Sequence, residues 1–77
     1  MIKVLFFAHL KDQVGVGNIE VQEDQLTVKS LLEKVVKEYS LSDIDHIMVS
    51  INEEYAVKDD IIRSGDVVAL IPPVSGG

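Results

Sequence analysis

The 77-residue sequence contains no cysteine, no tryptophan and only two phenylalanines. Without cysteine, the chain cannot form a disulfide framework, a thiolate metal site or a cysteine nucleophile. Any sulfur chemistry that involves this chain must therefore take its sulfur from another molecule. Internal repeats and low-complexity tracts are also absent, and the 47% of hydrophobic residues suffice for one compact domain.

Long apolar runs and basic clusters are missing as well. No stretch approaches the length of a membrane-spanning helix, and charge interrupts the opening segment MIKVLFFAHLKD too early for a signal peptide. Seven Lys and Arg against thirteen Asp and Glu give a formal net charge of -6. This charge argues against nucleic acid, whose phosphates bind cations, and suits basic partners, although it also keeps a small domain soluble. We expect a cytoplasmic protein that contacts neither membrane nor nucleic acid.

Three segments of the first half carry clear secondary-structure patterns. Residues 2–8 are rich in β-branched and aromatic side chains and predict a strand. Alternation over residues 18–23 predicts a second strand, joined to the first by a turn at Gly15 and Gly17. Residues 26–40 predict a helix, because their apolar side chains recur at helical spacing on one face.

The second half predicts three further strands, at residues 47–51, 55–57 and 67–72. Ile61 and Ile62 are expected to anchor the loop between the last two. The order ββαβ(β)β predicts an α+β fold, the ubiquitin-like β-grasp, in which one main helix packs on one face of a mixed sheet. The first and last strands are expected to lie side by side at its centre. Residues 1–71 then form the domain, and residues 72–77 a flexible, extended C-terminal tail.

Strand alternation places several apolar side chains on the face of the sheet that the helix does not cover. Lys3 marks this face as solvent-exposed, and Leu5 and Phe7 share it. Because the first and last strands are expected to be adjacent, Phe7 and Ile71 are expected to form an apolar patch bordered by Tyr55. Such a patch on a small domain predicts a binding surface. The alternative is that the loop around residues 10–14 covers Phe7 and Ile71.

The sequence ends in IPPVSGG. Pro72 and Pro73 favour an extended conformation, and the six residues from Pro72 to Gly77 span about 20 Å when extended. Gly76 and Gly77 have no β-carbon, which suits a narrow channel in a partner. A terminal carboxylate is a poor electrophile until ATP adenylates it, after which a sulfur or nitrogen nucleophile attacks the carbonyl. The chain carries no phosphate-binding loop or nucleophile–base pair, so it is expected to be a carrier that partners act upon.

The segments MIKVLFFAHLKDQVG, VSINEEY and GDVVALIPPVSGG resemble the small, sulfur-carrier subunits of molybdopterin synthases, and the resemblance covers essentially the whole chain. It implies that a ubiquitin-activating-like adenylyltransferase uses ATP to adenylate Gly77. A persulfide-bearing sulfurtransferase then supplies the sulfur of a C-terminal thiocarboxylate. The large subunit receives the tail, and the sulfur passes to cyclic pyranopterin monophosphate in molybdenum cofactor biosynthesis. The resemblance implies no bound cofactor and no catalysis by the chain alone.

The resemblance also implies which residues act. Gly76 and Gly77 carry the chemistry, and Phe7, Tyr55 and Ile71 form the contact face for the partners. The remaining residues expected to touch partners are Pro72, Pro73, Val74 and Ser75 in the tail and Lys11 at the rim.

A metal site and several other functions compete with this hypothesis. Asp43, Asp45 and His46 lie close together in sequence, but three such residues in one loop are common by accident, and we expect no metal. Sulfur carriers for thiamine or for tRNA thiolation also end in Gly-Gly, although they generally lack the preceding Pro-Pro-Val. A ubiquitin-like modifier would join Gly77 to lysines, and a plain interaction module would not need Gly77 at all.

Overall fold

The computed structural model describes residues 1–41 and 46–73. Secondary structure occupies most of these ranges. The helices and strands there, in chain order, are β1 (Ile2–Phe6), α1 (Ala8–Val14), β2 (Asn18–Val21), β3 (Gln25–Thr27), α2 (Val28–Tyr39), β4 (Met48–Ile51), β5 (Glu54–Ala56), β6 (Ile61–Arg63) and β7 (Val67–Ile71).

The helix α2 lies where the apolar spacing predicts it. Thr27 caps its first turn, because the Thr27 hydroxyl accepts a hydrogen bond from the backbone N–H of Ser30 at 3.1 Å. The helix ends at Ser40, which adopts the left-handed conformation with φ of 54°. One face is buried, through Val28, Leu31, Leu32 and Val35. Each buried side chain of this size contributes about 1.5–3 kcal/mol, so this face holds α2 on the sheet.

The main sheet has the strand order β2-β1-β7-β4-β5. At its centre β1 and β7 run parallel, with Val4 opposite Val68. The prediction that the first and last strands lie side by side is therefore confirmed. Alternate residues of both strands, such as Val4 and Leu70, are fully buried in the core that α2 covers. The residues between them point to the opposite face of the sheet.

The connection between β1 and β2 differs from the predicted turn. The two strands do pair, with Ile2 opposite Val21, but α1 lies between them. Leu10 on α1 is 1% exposed and joins the core. Gly15 ends α1 with a φ of 94°, and its N–H donates to the carbonyl of Lys11, as C-terminal helix glycines commonly do. The helix has seven residues, too few to display a helical period in the sequence.

A second, two-stranded sheet was also not predicted. Ile61 and Ile62 belong to β6 and not to a loop, and β6 pairs antiparallel with β3. Leu26 lies opposite Ile62, whose side chain is fully buried. Part of the segment that predicts the start of the helix, residues 26–27, therefore forms β3 instead. Three-residue strands leave too short an alternation to be recognised.

Candidate functional site: an apolar groove at the end of β7

A groove lies on the face of the main sheet opposite α2, and its volume is about 360 Å³. Its apolar lining comes from β1, from Phe7 directly after β1, from β7 and from Tyr55 on β5. These lining residues are Leu5, Phe7, Tyr55, Val67, Ala69 and Ile71. The predicted apolar patch of Phe7, Tyr55 and Ile71 thus exists, and it has the concave shape of a docking site.

The groove is open to solvent. Phe7 is 45% exposed and Tyr55 is 74% exposed. The alternative that residues 10–14 cover Phe7 is wrong, because α1 turns Leu10 inward to the core. Ala8, the first residue of α1, has a φ of 52° and turns the chain away from the direction of β1 directly after Phe7. Phe7 therefore presents its ring on the surface while its neighbour Phe6 is buried.

The groove adjoins the root of the tail. Ile71 lines the groove and ends β7, and the chain then continues into Pro72 and Pro73. Pro72 is buried, whereas Pro73 is exposed, so Pro73 is the better placed of the two to touch a partner. The predicted roles of Val74, Ser75, Gly76 and Gly77 lie outside the described residues.

Lys11 does not lie in the groove. It is an exposed residue of α1, and its side chain extends over Gly17, where the Lys11 Cε lies 3.4 Å from the position that a β-carbon would take. The polar contact expected of Lys11 with a partner stays a prediction.

The groove has polar lining residues that the sequence analysis did not single out. Ser50, Asn52 and Glu53 lie beside the apolar residues. Asn52 and Glu53 form the turn between β4 and β5, one residue shorter than the predicted turn, and both have positive φ, 51° and 71°. A two-residue hairpin loop with two positive φ angles is a type I′ turn, for which Asn is favoured at the first position and Gly at the second. Asn52 is therefore the residue expected at the first position of this turn, whereas Glu53 stands where glycine is expected.

Hydrogen bonds fix this turn to the start of β7. The backbone N–H of Asn52 donates to the carbonyl of Val67 at 2.8 Å, and the backbone N–H of Val67 donates to the Asn52 side chain at 3.0 Å. The Asn52 amide also donates to the Asp66 carboxylate at 3.0 Å, and the backbone N–H of Arg63 donates to its other oxygen at 2.8 Å. These bonds form a brace that joins the β4–β5 turn to the β6–β7 connection, beside the part of the groove that Asn52, Glu53 and Val67 line.

Asp66 gives this brace a pH dependence. The backbone N–H of Arg63, followed by the Asn52 amide, holds the pKa of Asp66 below its ordinary value of 3.8. A lowered pKa in the folded state means that the ionised carboxylate stabilises the fold above the unfolded pKa. This contribution is lost as the pH falls through the folded pKa.

We therefore expect Asp66→Asn to lower the free energy of unfolding at neutral pH by less than about 1 kcal/mol, because solvent screens this group. The variant should also lose less stability than the parent on acidification below the pKa range of carboxylates. Urea denaturation at a series of pH values measures both effects. Asp59→Asn is the matched control, since Asp59 is exposed. If the free energy of unfolding falls with pH equally in the parent and in Asp66→Asn, the ionised Asp66 carboxylate does not stabilise the fold.

The remaining features do not compete with the groove. The described residues hold no cluster of three or more possible metal ligands. Of the three loop residues considered as metal ligands in the sequence, only His46 lies among the described residues, since Asp43 and Asp45 lie outside them. Within the described ranges, no helix is long and apolar enough to cross a membrane. A second cavity of about 350 Å³ lies between α2 and the β4–β5 edge and shares Tyr55 with the groove, but Phe7 and Ile71 do not line it.

Comparisons with known proteins point to one family. The model of the family described as "ThiS family" matches residues 4–77. A molybdopterin synthase sulfur carrier subunit from Arabidopsis thaliana is 37% identical over 79 residues, covering 99% of this chain and 82% of the relative. The subunit of the same name from Escherichia coli K12 is 36% identical over 81 residues, covering all of both chains.

The fold is similar to that of an archaeal protein. The crystal structure of SAMP1 from Haloferax volcanii superposes with a TM-score of 0.83 at 31% identity, covering 99% of this chain and 98% of that one. SAMP1 is a small archaeal modifier protein. This likeness confirms the predicted α+β, β-grasp fold.

Proposed function

Since the chain belongs to the ThiS family, we propose that it is the sulfur-carrier subunit of a molybdopterin synthase. The full-length matches to proteins of that name confirm the resemblance recognised in the sequence. The observation that carries the proposal is the open apolar groove whose last lining residue, Ile71, leads directly into the Pro-Pro segment. A carrier needs this combination, because a partner must hold the domain while it works on the tail.

In the proposed cycle an adenylyltransferase partner first activates the tail. The Gly77 carboxylate attacks the α-phosphate of ATP, pyrophosphate leaves, and an acyl-adenylate forms. A persulfide sulfur, supplied by a sulfurtransferase, then attacks the carbonyl carbon and displaces AMP. Reductive cleavage of the resulting S–S bond by a thiol leaves the thiocarboxylate. These steps are proposed to take place in the cytoplasm, where ATP is available.

The large synthase subunit then receives the thiocarboxylate in its active site. The thiocarboxylate sulfur bonds to a side-chain carbon of cyclic pyranopterin monophosphate and displaces an oxygen substituent from that carbon, which leaves a thioester between Gly77 and the pterin. Water then hydrolyses the thioester, so the sulfur stays on the pterin and Gly77 returns to a carboxylate. Two such transfers build the dithiolene. The chain itself supplies the docking groove, the spacer and an unhindered glycyl carbonyl. It is not expected to catalyse any step alone, and the sulfur is carried on the chain without a bound cofactor.

The test is the intact mass of the protein after incubation with ATP, the adenylyltransferase and a sulfur donor. We expect a gain equal to the difference between sulfur and oxygen, and we expect it to disappear when the large subunit and the pyranopterin are added. A gain that persists in their presence would keep the carrier role and indicate a different acceptor. No gain with a competent adenylyltransferase would overturn the proposal.

A protein modifier is the second candidate function, favoured by the likeness to the archaeal modifier SAMP1. The acyl-adenylate would then react with a lysine amine of another protein, and AMP would leave. Lysine-linked adducts of this chain in cell extracts, detected after trypsin cleavage as lysines that carry residues 64–77 because Arg63 is the last tryptic site, would support this role. The mass of the unconjugated chain from the same extracts shows whether Gly77 carries a thiocarboxylate, so one experiment compares the two fates of Gly77.

Phe7 is the first residue to test as a contact for the large subunit. Its ring is 45% exposed in the groove, and aromatic residues are prominent among interface hot spots. We expect Phe7→Ala to weaken binding by about 1 kcal/mol or more, roughly fivefold or greater in Kd. Isothermal titration with the large subunit measures this change. Val16→Ala is the control, since Val16 is 49% exposed but does not line the groove, and equal effects of both variants would remove Phe7 from the site.

A further inference from the structure

One lining residue of the groove does not suit a purely apolar partner. Among the described residues that line the groove, Glu53 alone carries a charge. It also lines a neighbouring depression of about 360 Å³ with Leu5, Asn52 and Val67. Glu53 therefore stands between two concave surfaces, and a partner that fills the groove must pass over or beside its carboxylate.

Glu53 occupies a position where a different residue would be more stable. Its φ of 71° lies in the left-handed region, and the second residue of a type I′ turn strongly favours glycine. A glutamate there costs the fold stability and adds nothing to the turn. Local strain of this kind is often retained where a side chain serves a function.

The turn holds the Glu53 backbone in a fixed place. Its neighbour Asn52 is bonded through its backbone to Val67 and through its side chain to Asp66. A charge on a fixed backbone loses less conformational entropy on binding than one on a mobile loop. Covering this carboxylate with apolar atoms alone would be costly, because a desolvated charge needs a partner charge and hydrogen bonds.

We propose that Glu53 selects the partner of the groove by pairing with an arginine or lysine of the large synthase subunit, on a docking face whose other lining residues carry no charge. The proposal rests on the proposed function, which supplies the large subunit as the occupant. The acidic net charge of -6 agrees in sign with such a surface. The apolar lining provides contact area, and Glu53 lowers the affinity for partner surfaces that do not present a cation to it.

Glu53→Gln tests the charge, because it keeps the shape of the side chain. We expect Kd for the large subunit to rise about tenfold or more, as for loss of one member of an interfacial charge pair. The affinity of the variant should also depend less on salt than that of the parent. Glu54→Gln is the matched control: Glu54 is the next residue, is exposed and carries the same charge, but does not line the groove. We expect it to change Kd less than about twofold.

Glu53→Gly separates recognition from folding. Glycine relieves the positive φ, so we expect the melting temperature to rise while binding to the large subunit weakens. A residue with a structural role only would move stability and binding in the same direction. If the parent binds and Glu53→Gln binds equally well, the pairing is wrong while the proposed function stands. If the parent itself does not bind the large subunit, the proposed function fails and the pairing fails with it.

Discussion

Deletion of Gly77 is expected to abolish thiocarboxylate formation completely while leaving the fold intact. The adenylated carbonyl must be unhindered and must reach the active site of the partner, and the shortened tail would place a new carboxylate one residue short of it. A one-residue shift of a reacting group costs orders of magnitude in rate, because the geometry for attack is lost. The free energy of unfolding should change by less than about 0.5 kcal/mol, since terminal residues generally contribute little to the stability of a domain.

Intact-mass analysis and thermal denaturation of the same preparation provide the two readouts. A second variant extends the chain beyond Gly77 with a protease-cleavable segment. This variant should be inactive until cleavage restores the Gly77 carboxylate, which separates blocked chemistry from misfolding. Thiocarboxylate on the truncated chain, or a large fall in its melting temperature, would contradict the prediction.

Leu10→Ala is expected to cause a much larger loss of stability than Asp66→Asn. Leu10 is 1% exposed and holds α1 against the core, and leucine-to-alanine changes in a core cost about 2–5 kcal/mol. A domain of this length has a total stability of only about 4–12 kcal/mol. Urea denaturation should therefore show a much lower midpoint, and binding to the large subunit should weaken too, because Phe7 directly precedes α1.

His9→Ala is the control for Leu10→Ala. His9 lies on the same helix, one residue earlier, and is exposed. It should leave the urea midpoint nearly unchanged. Because alanine is the best helix former, neither variant weakens α1 through helix propensity. A stability loss of similar size in both variants would mean that burial of the Leu10 side chain does not account for the effect.

The long elements and the groove face were predictable from the sequence. The helix α2 has six apolar positions on one face, and the strong apolar character of β1 and β7 indicated their central place. The alternation that buries Val4 and Phe6 also turns Leu5 and Phe7 outward, so the exposed patch followed from a period of two. Each of these inferences uses a pattern that repeats within one segment.

The features that were missed depend on partners distant in sequence. Ile62 is buried because β6 pairs with β3. The sequence of either three-residue strand does not indicate that the other is its partner. The brace of Asn52 and Asp66 joins residues fourteen positions apart, and Glu53 reaches the groove only because the hairpin turns there. The NEE segment predicted a turn, but its two positive φ angles follow from the pairing of β4 with β5, which places Ile51 opposite Glu54 and leaves a two-residue loop.

The parallel pairing of β1 with β7 has a mechanical consequence. A force on the chain beyond Ile71 pulls β7 along its own axis, while the core resists through β1, whose chain begins at the opposite end of the pair. The hydrogen bonds between the strands are then loaded together in shear, whereas bonds at an unzipping edge would break one at a time. A partner that draws the tail into a deep channel can therefore pull on it without peeling the domain open from its centre.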